Sequence, residues 1–295
     1  MAKIPKNLKM KSAHTLPLAC KLFLYCLPML LLGQVHAASI VTSGTASGLG
    51  LDVELSQLSL DVGVGPYAET NVSAPFPDAD AAQVLNLSVS MGFFASLGDV
   101  RADTLDAYAI SDVDGVSSSA ETVGSASVRG FELSLGSKDI FTSGDLSIRS
   151  AGEQYISSSS SVTGSYGSLL ALGQSELGDV TLSISGVDFN LSNSYAANTL
   201  LDVSAASMAG ITVHLNEQII LGTGLDSYSL VTNAMRIHLQ NFNLGGGLGV
   251  VSGEIIVGQS SAQMTAIPEP STIWSLVIGA VGLMFLRRRG IELAH

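Results

Sequence analysis

Three groups of residues in this 295-residue chain have the types and spacing for chemistry. Asp78-Ala79-Asp80 and Asp112-Val113-Asp114-Gly115 each set two carboxylates two positions apart in turn-like surroundings, and such hard oxygen ligands suit Ca²⁺. Neither pair continues into a full EF-hand loop, and acidic turns, like the pair Asp103 and Asp106, are as readily explained as solvated surface. The second group is His214 and His238, the polar members of Val213-His214-Leu215 and Ile237-His238-Leu239; alternation turns both away from the core. They could share a metal from neighbouring strands, but no HExxH or cysteine-based spacing accompanies them. The third group is Ile267-Pro268-Glu269-Pro270, an extended, helix-refusing tetrapeptide ahead of an apolar run from Ile273 to Leu286 that includes Trp274. Ser157 to Ser161 has no Gly-x-Ser-x-Gly elbow and reads as a polar loop or exposed strand face. Gly245 to Gly247 lacks the Lys-Ser or Lys-Thr of a phosphate loop. No catalytic centre and no nucleotide cofactor are expected, and calcium is the one ligand with sequence support. A glycosidase would need carboxylates that only the fold can bring together.

The elements that must carry these groups are strands. Between residues 38 and 266 the chain is rich in Ser, Gly, Val, Leu and Thr, poor in Lys, and shows no sustained helical period. Windows such as Leu85, Leu87, Val89 and Met91 alternate as half-buried strands do. Turn signals separate them at Pro66, Pro75, Pro77, Asp114-Gly115, Ser143-Gly144-Asp145 and Gly245-Gly246-Gly247. A pattern of three alternating positions, a one-residue slip and three more recurs from Leu51, Gly124, Val180 and Met235. The slips fall at Ser56-Gln57, Arg129-Gly130, Ser185-Gly186 and Gln240-Asn241. A slip inside a strand turns its apolar set to the wrong face unless the chain bends, so each predicts a β-bulge or a corner. The expected fold is all-β: an antiparallel β-sandwich-like body with bent strands, or alternatively a β-solenoid turning its corners at the slips. The recurrence also suggests duplicated hairpin-like units.

The two ends read as addresses. Lys3, Lys6, Lys9, Lys11 and Lys21 precede an apolar segment from Leu22 to Leu32 and then Val35-His36-Ala37, which predicts a signal peptide over residues 1–37 cut by signal peptidase between Ala37 and Ala38. Met10 is an alternative start, and Cys20 and Cys26 lie too early for a lipoprotein signal. At the other end the run from Ile273 to Leu286 covers roughly 21 Å as a helix, short of the approximately 30 Å hydrocarbon core. A transmembrane helix is expected over 272–286, with Arg287, Arg288 and Arg289 on the cytoplasmic side. An ordinary single-span anchor is the alternative.

Without its ends the body keeps no cysteine. Its 23 acidic and five basic residues leave a net charge of −18. Such a surface repels nucleic acid and anionic lipid and suits solubility outside the cell.

The order of Pro268-Glu269-Pro270, a single hydrophobic helix and an arginine cluster resembles the C-terminal sorting signal of PEP-CTERM proteins of Gram-negative bacteria. The resemblance implies an exosortase as partner, a transient inner-membrane intermediate, and delivery to the cell surface or extracellular matrix. It also associates the chain with exopolysaccharide and with biofilm or floc architecture. Three further segments, Val213 to Gln218, Val231 to Leu239 and Gly253 to Ala262, resemble the choice-of-anchor P family of surface proteins. The organisation expected is a signal peptide at 1–37, an extracellular all-β domain at 38–266 and a sorting signal at 267–295. The expected function is non-enzymatic and structural. The alternative is a lectin-like adhesin, with Tyr67, Tyr108, Tyr155, Tyr166, Tyr195 and Tyr228 as sugar platforms.

Overall fold

The computed structural model of the protein describes residues 39–55, 58–73, 77–91, 98–113, 120–136, 145–151, 155–244, 249–267 and 281. The signal segment, Ala37, Ala38 and Asp114 lie outside the described residues, as do Pro268, Glu269, Pro270 and, save for helical Val281, the predicted span and its arginines. Among the described residues no helix is long and apolar enough to cross a membrane.

The chain forms β1 (Ser39–Leu55), β2 (Leu58–Ser73), β3 (Asp78–Met91), β4 (Gly98–Asp112), β5 (Ala120–Arg129), β6 (Glu132–Leu135), β7 (Leu146–Ser150) and β8 (Tyr155–Ser165). It continues through β9 (Ser168–Leu177), β10 (Val180–Ile184), β11 (Val187–Asn190), β12 (Thr199–Leu200), β13 (Ile211–Gly222), β14 (Ser227–Asn243) and β15 (Val250–Ile267). One sheet runs β12-β13-β14-β15-β1-β2; the other runs β11-β10-β7-β6-β4-β5-β8-β9, with β3 on the free edge of β4. Every described ladder is antiparallel. The second sheet is a meander: β5 with β6, β7 with β8, and β9 with β10 are long strands broken once each. The two sheets stack with β9 over β14, β8 over β15, β5 over β1 and β3 over β2. This is the expected sandwich; the solenoid alternative fails because pairing runs between neighbouring antiparallel strands and not between stacked coils.

The breaks form a seam. Inward positions change parity at Gly48 to Leu49 in β1, Asn216 in β13, Ala234 to Met235 in β14 and Val257 to Gly258 in β15, and these fall at one level of the register. In the second sheet the change comes at Asn86, Asp103, Gly130 and Asp179. Left-handed backbone marks the line, with φ of 54° at Asn86, 59° at Gly130, 39° at Asp179, 50° at Asn216 and 64° at Gly258. Asn, Asp and Gly are the residues that visit this region most cheaply. At Gly130 a Cβ would also meet the Asp103 side chain, 2.2 Å from its Oδ2, and that exposed carboxylate would have to turn aside. The interrupted ladder is repaired locally, with the Phe131 amide donating to Ser150 Oγ at 2.7 Å and the Ser150 amide donating to the Phe131 carbonyl at 2.8 Å.

Three of the four slips lie within the described residues, and they divide two to one. Arg129-Gly130 separates β5 from β6, and Gln240-Asn241 is a bulge where the β14–β15 register shifts between Leu239 and Phe242, so both are the bends expected. Ser185-Gly186 is instead a hairpin turn, Ile184 pairing with Val187, with φ of 51° and 78° as a type I′ turn requires. Ser56-Gln57 lies outside the described residues, between β1 and β2, which pair as far as Leu55 with Leu58. A two-residue turn and a one-residue bulge shift parity identically, and the pattern alone cannot tell them apart. Three other expectations are corrected. Leu85 and Leu87 point to opposite faces because Asn86 between them is left-handed, with the β3–β4 register unbroken, leaving Leu85 61% exposed. Of the two readings of Ser157 to Ser161 the strand holds and the loop does not, but only the odd members face outward, Ser158 and Ser160 being buried in β8. Pro66 lies inside β2, where the β1–β2 register shifts opposite Gly48, the kind of edge-strand bulge that tolerates proline.

On one side of the seam Phe131, Leu133, Ile148, Leu182 and Ile184 pack on Leu215, Ile237, Leu239, Phe242 and Ile255, all fully buried. Each such aliphatic side chain contributes about 1.5–3 kcal/mol on burial. On the other side the interior next to the seam is small, with Ala46, Ala68, Ala107, Ala109 and Ala126 flanked by buried Thr70, Ser111, Thr122, Ser160, Thr232 and Ser260, and a second apolar cluster of Ile40, Val113, Val162, Leu169, Leu230 and Met264 closes the far end.

Candidate functional site

The outer face of the second sheet holds the first candidate site. Strands β4, β5, β8 and β9 lie side by side, and their register aligns Asp106, Ser127, Ser157 and Glu176 in one row and Tyr108, Ser125, Ser159 and Gln174 in the next. The small serines in the middle and longer side chains at the edges form an open groove of about 330 Å³. Gln83 Nε2 donates to Asp106 Oδ1 at 2.5 Å and Ser127 Oγ donates to Asp106 Oδ2 at 3.5 Å, which fixes that carboxylate. Tyr108 is 41% exposed on the rim, and Tyr155, also exposed, stands one row beyond Ser157. Asp106 and Glu176 are three strand spacings apart, about 14 Å. That exceeds the roughly 5–10 Å over which two carboxylates cooperate in glycoside hydrolysis. The groove offers hydroxyls, an amide and carboxylates as hydrogen-bonding partners beside an aromatic ring, which is binding chemistry for a polyhydroxylated ligand.

A second polar cluster crosses the seam on the outer face of the first sheet. Arg236 donates through Nη1 to Glu217 Oε1 at 2.9 Å and through Nε to Glu254 Oε2 at 3.2 Å, its Nη2 completing a fork on Glu254. Asn233 Nδ2 donates to the second Glu217 oxygen at 2.7 Å, and Gln259 Nε2 to Asn233 Oδ1 at 2.9 Å. The hydrogen bonds from Arg236 hold the Glu254 carboxyl below the ordinary glutamate range, and the same pairing, led by Glu254, raises the guanidinium. Glu217 and Asn233 are buried although they point to the outer side, because the bend lets side chains from the two halves meet across it. Fully paired charges of this kind hold the geometry of a bend and leave no free nucleophile or base.

The residues singled out from the sequence are scattered. Asp78 and Asp80 pair in register with buried Ser111 and Ala109 at the sandwich rim, and Asp80 Oδ2 accepts the Glu69 amide at 3.0 Å. Asp112 is exposed on the opposite face. Among the described residues no three His, Cys, Asp or Glu side chains are grouped to hold a metal ion. His214 and His238 lie on neighbouring strands, opposite Arg236 and Thr212, and His238 Nδ1 is 3.5 Å from Glu254 Oε1. Of the tyrosines, Tyr195 turns its hydroxyl to the Ser192 amide at 2.8 Å, and the Tyr67 side chain is outside the described set. The groove was missed because no short motif encodes it; its members come from four strands spread over 71 positions, from Asp106 to Glu176. The only trace was the serine run itself.

No curated protein matches the chain. A family model described as the PEP-CTERM protein-sorting motif matches residues 266–289, beginning on the last two residues of β15. The chain thus carries, directly after its all-β body, the signal of a protein sorted to the cell surface by an exosortase through a membrane-associated intermediate.

Proposed function

We propose that this is a non-enzymatic structural protein of the extracellular polysaccharide matrix, working in biofilm or floc architecture. The sorting motif at 266–289 carries the reading. On this reading signal peptidase cuts after Ala37, the run from Ile273 to Leu286 holds the intermediate in the inner membrane with Arg287 to Arg289 inside, and the exosortase cuts near Pro268-Glu269-Pro270. The rigid, cysteine-free sandwich then leaves for the surface. The choice-of-anchor P likeness, which falls on β13, β14 and β15, fits a displayed body of this sort. The test replaces Pro268-Glu269-Pro270 by Ala-Ala-Ala in the native host. The expected outcome is loss of the protein from the surface and medium with a thinner, less cohesive matrix; an unchanged matrix despite mislocalised protein refutes the structural role.

The groove on the outer face favours a second reading, a glycan-binding adhesin. Its serine floor and Tyr108 rim suit a neutral polysaccharide, because Asp106, Glu176 and the −18 charge of the body disfavour an anionic one. Affinity electrophoresis against host exopolysaccharide should show retardation that Tyr108→Ala removes, and equal mobility of both proteins in the gel defeats this reading.

A further inference from the structure

The pattern Asn-x-Ser, which accepts asparagine-linked glycans, occurs at Asn71, Asn86 and Asn190. Bacterial glycan transfer to asparagine needs, in addition, a carboxylate two residues before the acceptor, a handle for a cation of the transferring enzyme. Asn190 has one in Asp188-Phe189-Asn190-Leu191-Ser192, and Asn71 has one in Glu69-Thr70-Asn71-Val72-Ser73. Asn86 has Val84 at that place. The Asn71 side chain lies outside the described residues, whereas the Asn190 segment is described in full.

Alternation along an extended chain sends residues two apart to the same side. Asp188 and Asn190 are the exposed members of β11, and Ser192, two positions further, is exposed as well. The carboxylate, the acceptor amide and the hydroxyl therefore all face solvent. The residues between them hold that side outward, since Leu191 is only 6% exposed within the core and Phe189 packs against the same cluster. Asn190 Oδ1 accepts the Thr181 hydroxyl at 3.1 Å, which fixes the side chain through its oxygen. Among the described residues its Nδ2, the atom that would be glycosylated, has no partner. Strand β11 is the last of its sheet, and among the described residues nothing pairs with its outer edge. Its ladder to β10 ends at the Thr181–Asn190 pair, with one further bond from the Leu191 amide to the Val180 carbonyl at 2.8 Å. From Ser192 the chain is irregular as far as Asn198, so the acceptor sits where an enzyme can bend the backbone at little cost in sheet bonds.

We infer that Asn190 is a glycosylation site, modified during export by an enzyme whose donor is an oligosaccharide carried on a lipid diphosphate. Nδ2 forms a bond to the anomeric carbon of the first sugar. The bond from that carbon to the diphosphate oxygen breaks, its electron pair leaves with the lipid diphosphate, and one Nδ2 proton passes to a base of the enzyme. Asp188 is a positioning residue, and Ser192 supplies the hydroxyl of the acceptor pattern. A glycan at this place, bulky and solvated, covers the open edge of β11, where a strand of another molecule could otherwise add. The test is mass spectrometry of the protein recovered from its native host and cut before aspartate, which releases residues 188–201 as one fragment. That fragment should carry the mass of a glycan attached to Asn190, and Asn86 should be bare. Asn190→Gln, Ser192→Ala and Asp188→Ala should each abolish the modification at this place, while Ser192→Thr and Asp188→Glu should keep it. In the Asp188 variants the fragment to weigh begins at Asp179. Survival of the modification in Ser192→Thr and Asp188→Glu separates loss of the acceptor pattern from a disturbed fold. An unmodified Asn190 in the wild-type protein overturns the proposal, as does a glycan that persists in Asp188→Ala or that also occupies Asn86.

Discussion

The two halves of the sandwich, separated by the seam, solve the same packing problem in opposite ways. Beyond the seam toward β6, β7 and β10, Leu, Ile and Phe fill the gap between sheets, and stabilisation comes from apolar area. Toward β8 and β9 the gap has almost no room around Gly124 and Ser160, and opens again only at the far end, where Ile40, Val162, Leu169, Leu230 and Met264 pack. Facing strands there, such as β8 and β15 or β5 and β1, bring Cα atoms within 8 Å of each other, and a Cβ on Gly124 would sit 2.4 Å from the carbonyl oxygens of both Thr45 and Ser261. Hydroxyls replace hydrocarbon: Ser160 Oγ donates to Thr232 Oγ1 at 2.8 Å and lies 3.0 Å from Ser260 Oγ, while Thr70, Ser111 and Thr122 link at 2.9 and 3.2 Å. The wide half tolerates small losses of volume better than gains of polarity, and the narrow half the reverse.

Four measurements would break or sharpen this contrast. The largest effect is expected from Gly124→Val: backbone, and not a movable side chain, occupies the space, so the variant should show no cooperative unfolding transition. Phe131→Ala in the wide half should keep the fold while costing about 3–5 kcal/mol by chemical denaturation. If these two variants proved equally stable, the sheets would not differ in separation. Ser160→Ala should cost about 1–3 kcal/mol by stranding its partners, whereas Ser158→Ala, whose hydroxyl is buried without a partner, should be neutral or stabilising. Opposite signs at two serines two positions apart is the sharpest statement about the narrow half. The smallest effect concerns Arg236, which ties the halves together from outside. Its partner Glu254 has a folded-state pKa below its unfolded value, so the contribution is complete above about pH 4.3 and is lost as pH falls through the folded value. Arg236→Gln should flatten that acid limb of the stability curve, by a small amount because the pair is about one-third exposed.

Much of the wide half was legible in the sequence, because alternation of Val180, Leu182 and Ile184, or of Met235, Ile237 and Leu239, is a strong signal when large side chains carry it. The narrow half was not. Serine, threonine and alanine are equally at home inward or outward, so β8 gave no face, and only the register shows Ser160 inside and Ser159 in the groove. Asn86, Asp179 and Asn216 look like ordinary surface residues until their φ values place them on a common line. The groove escaped for a related reason: alignment across four strands is a property of pairing, which one strand's sequence does not contain.

The pairing of Ser39 with Ile267 brings the first and last strands of the body into one ladder, with β15 in the interior of its sheet between β14 and β1. In a chain threaded from its N-terminus, β1 emerges first and its partner last, after 194 intervening residues. Until then one edge of β1 stays uncovered, and the long loop that must be closed makes this the slowest contact to form. The residues that complete the sheet run directly into the sorting motif, whose match begins on Ala266, so β1 gains its second neighbour only once the chain is available as far as the motif.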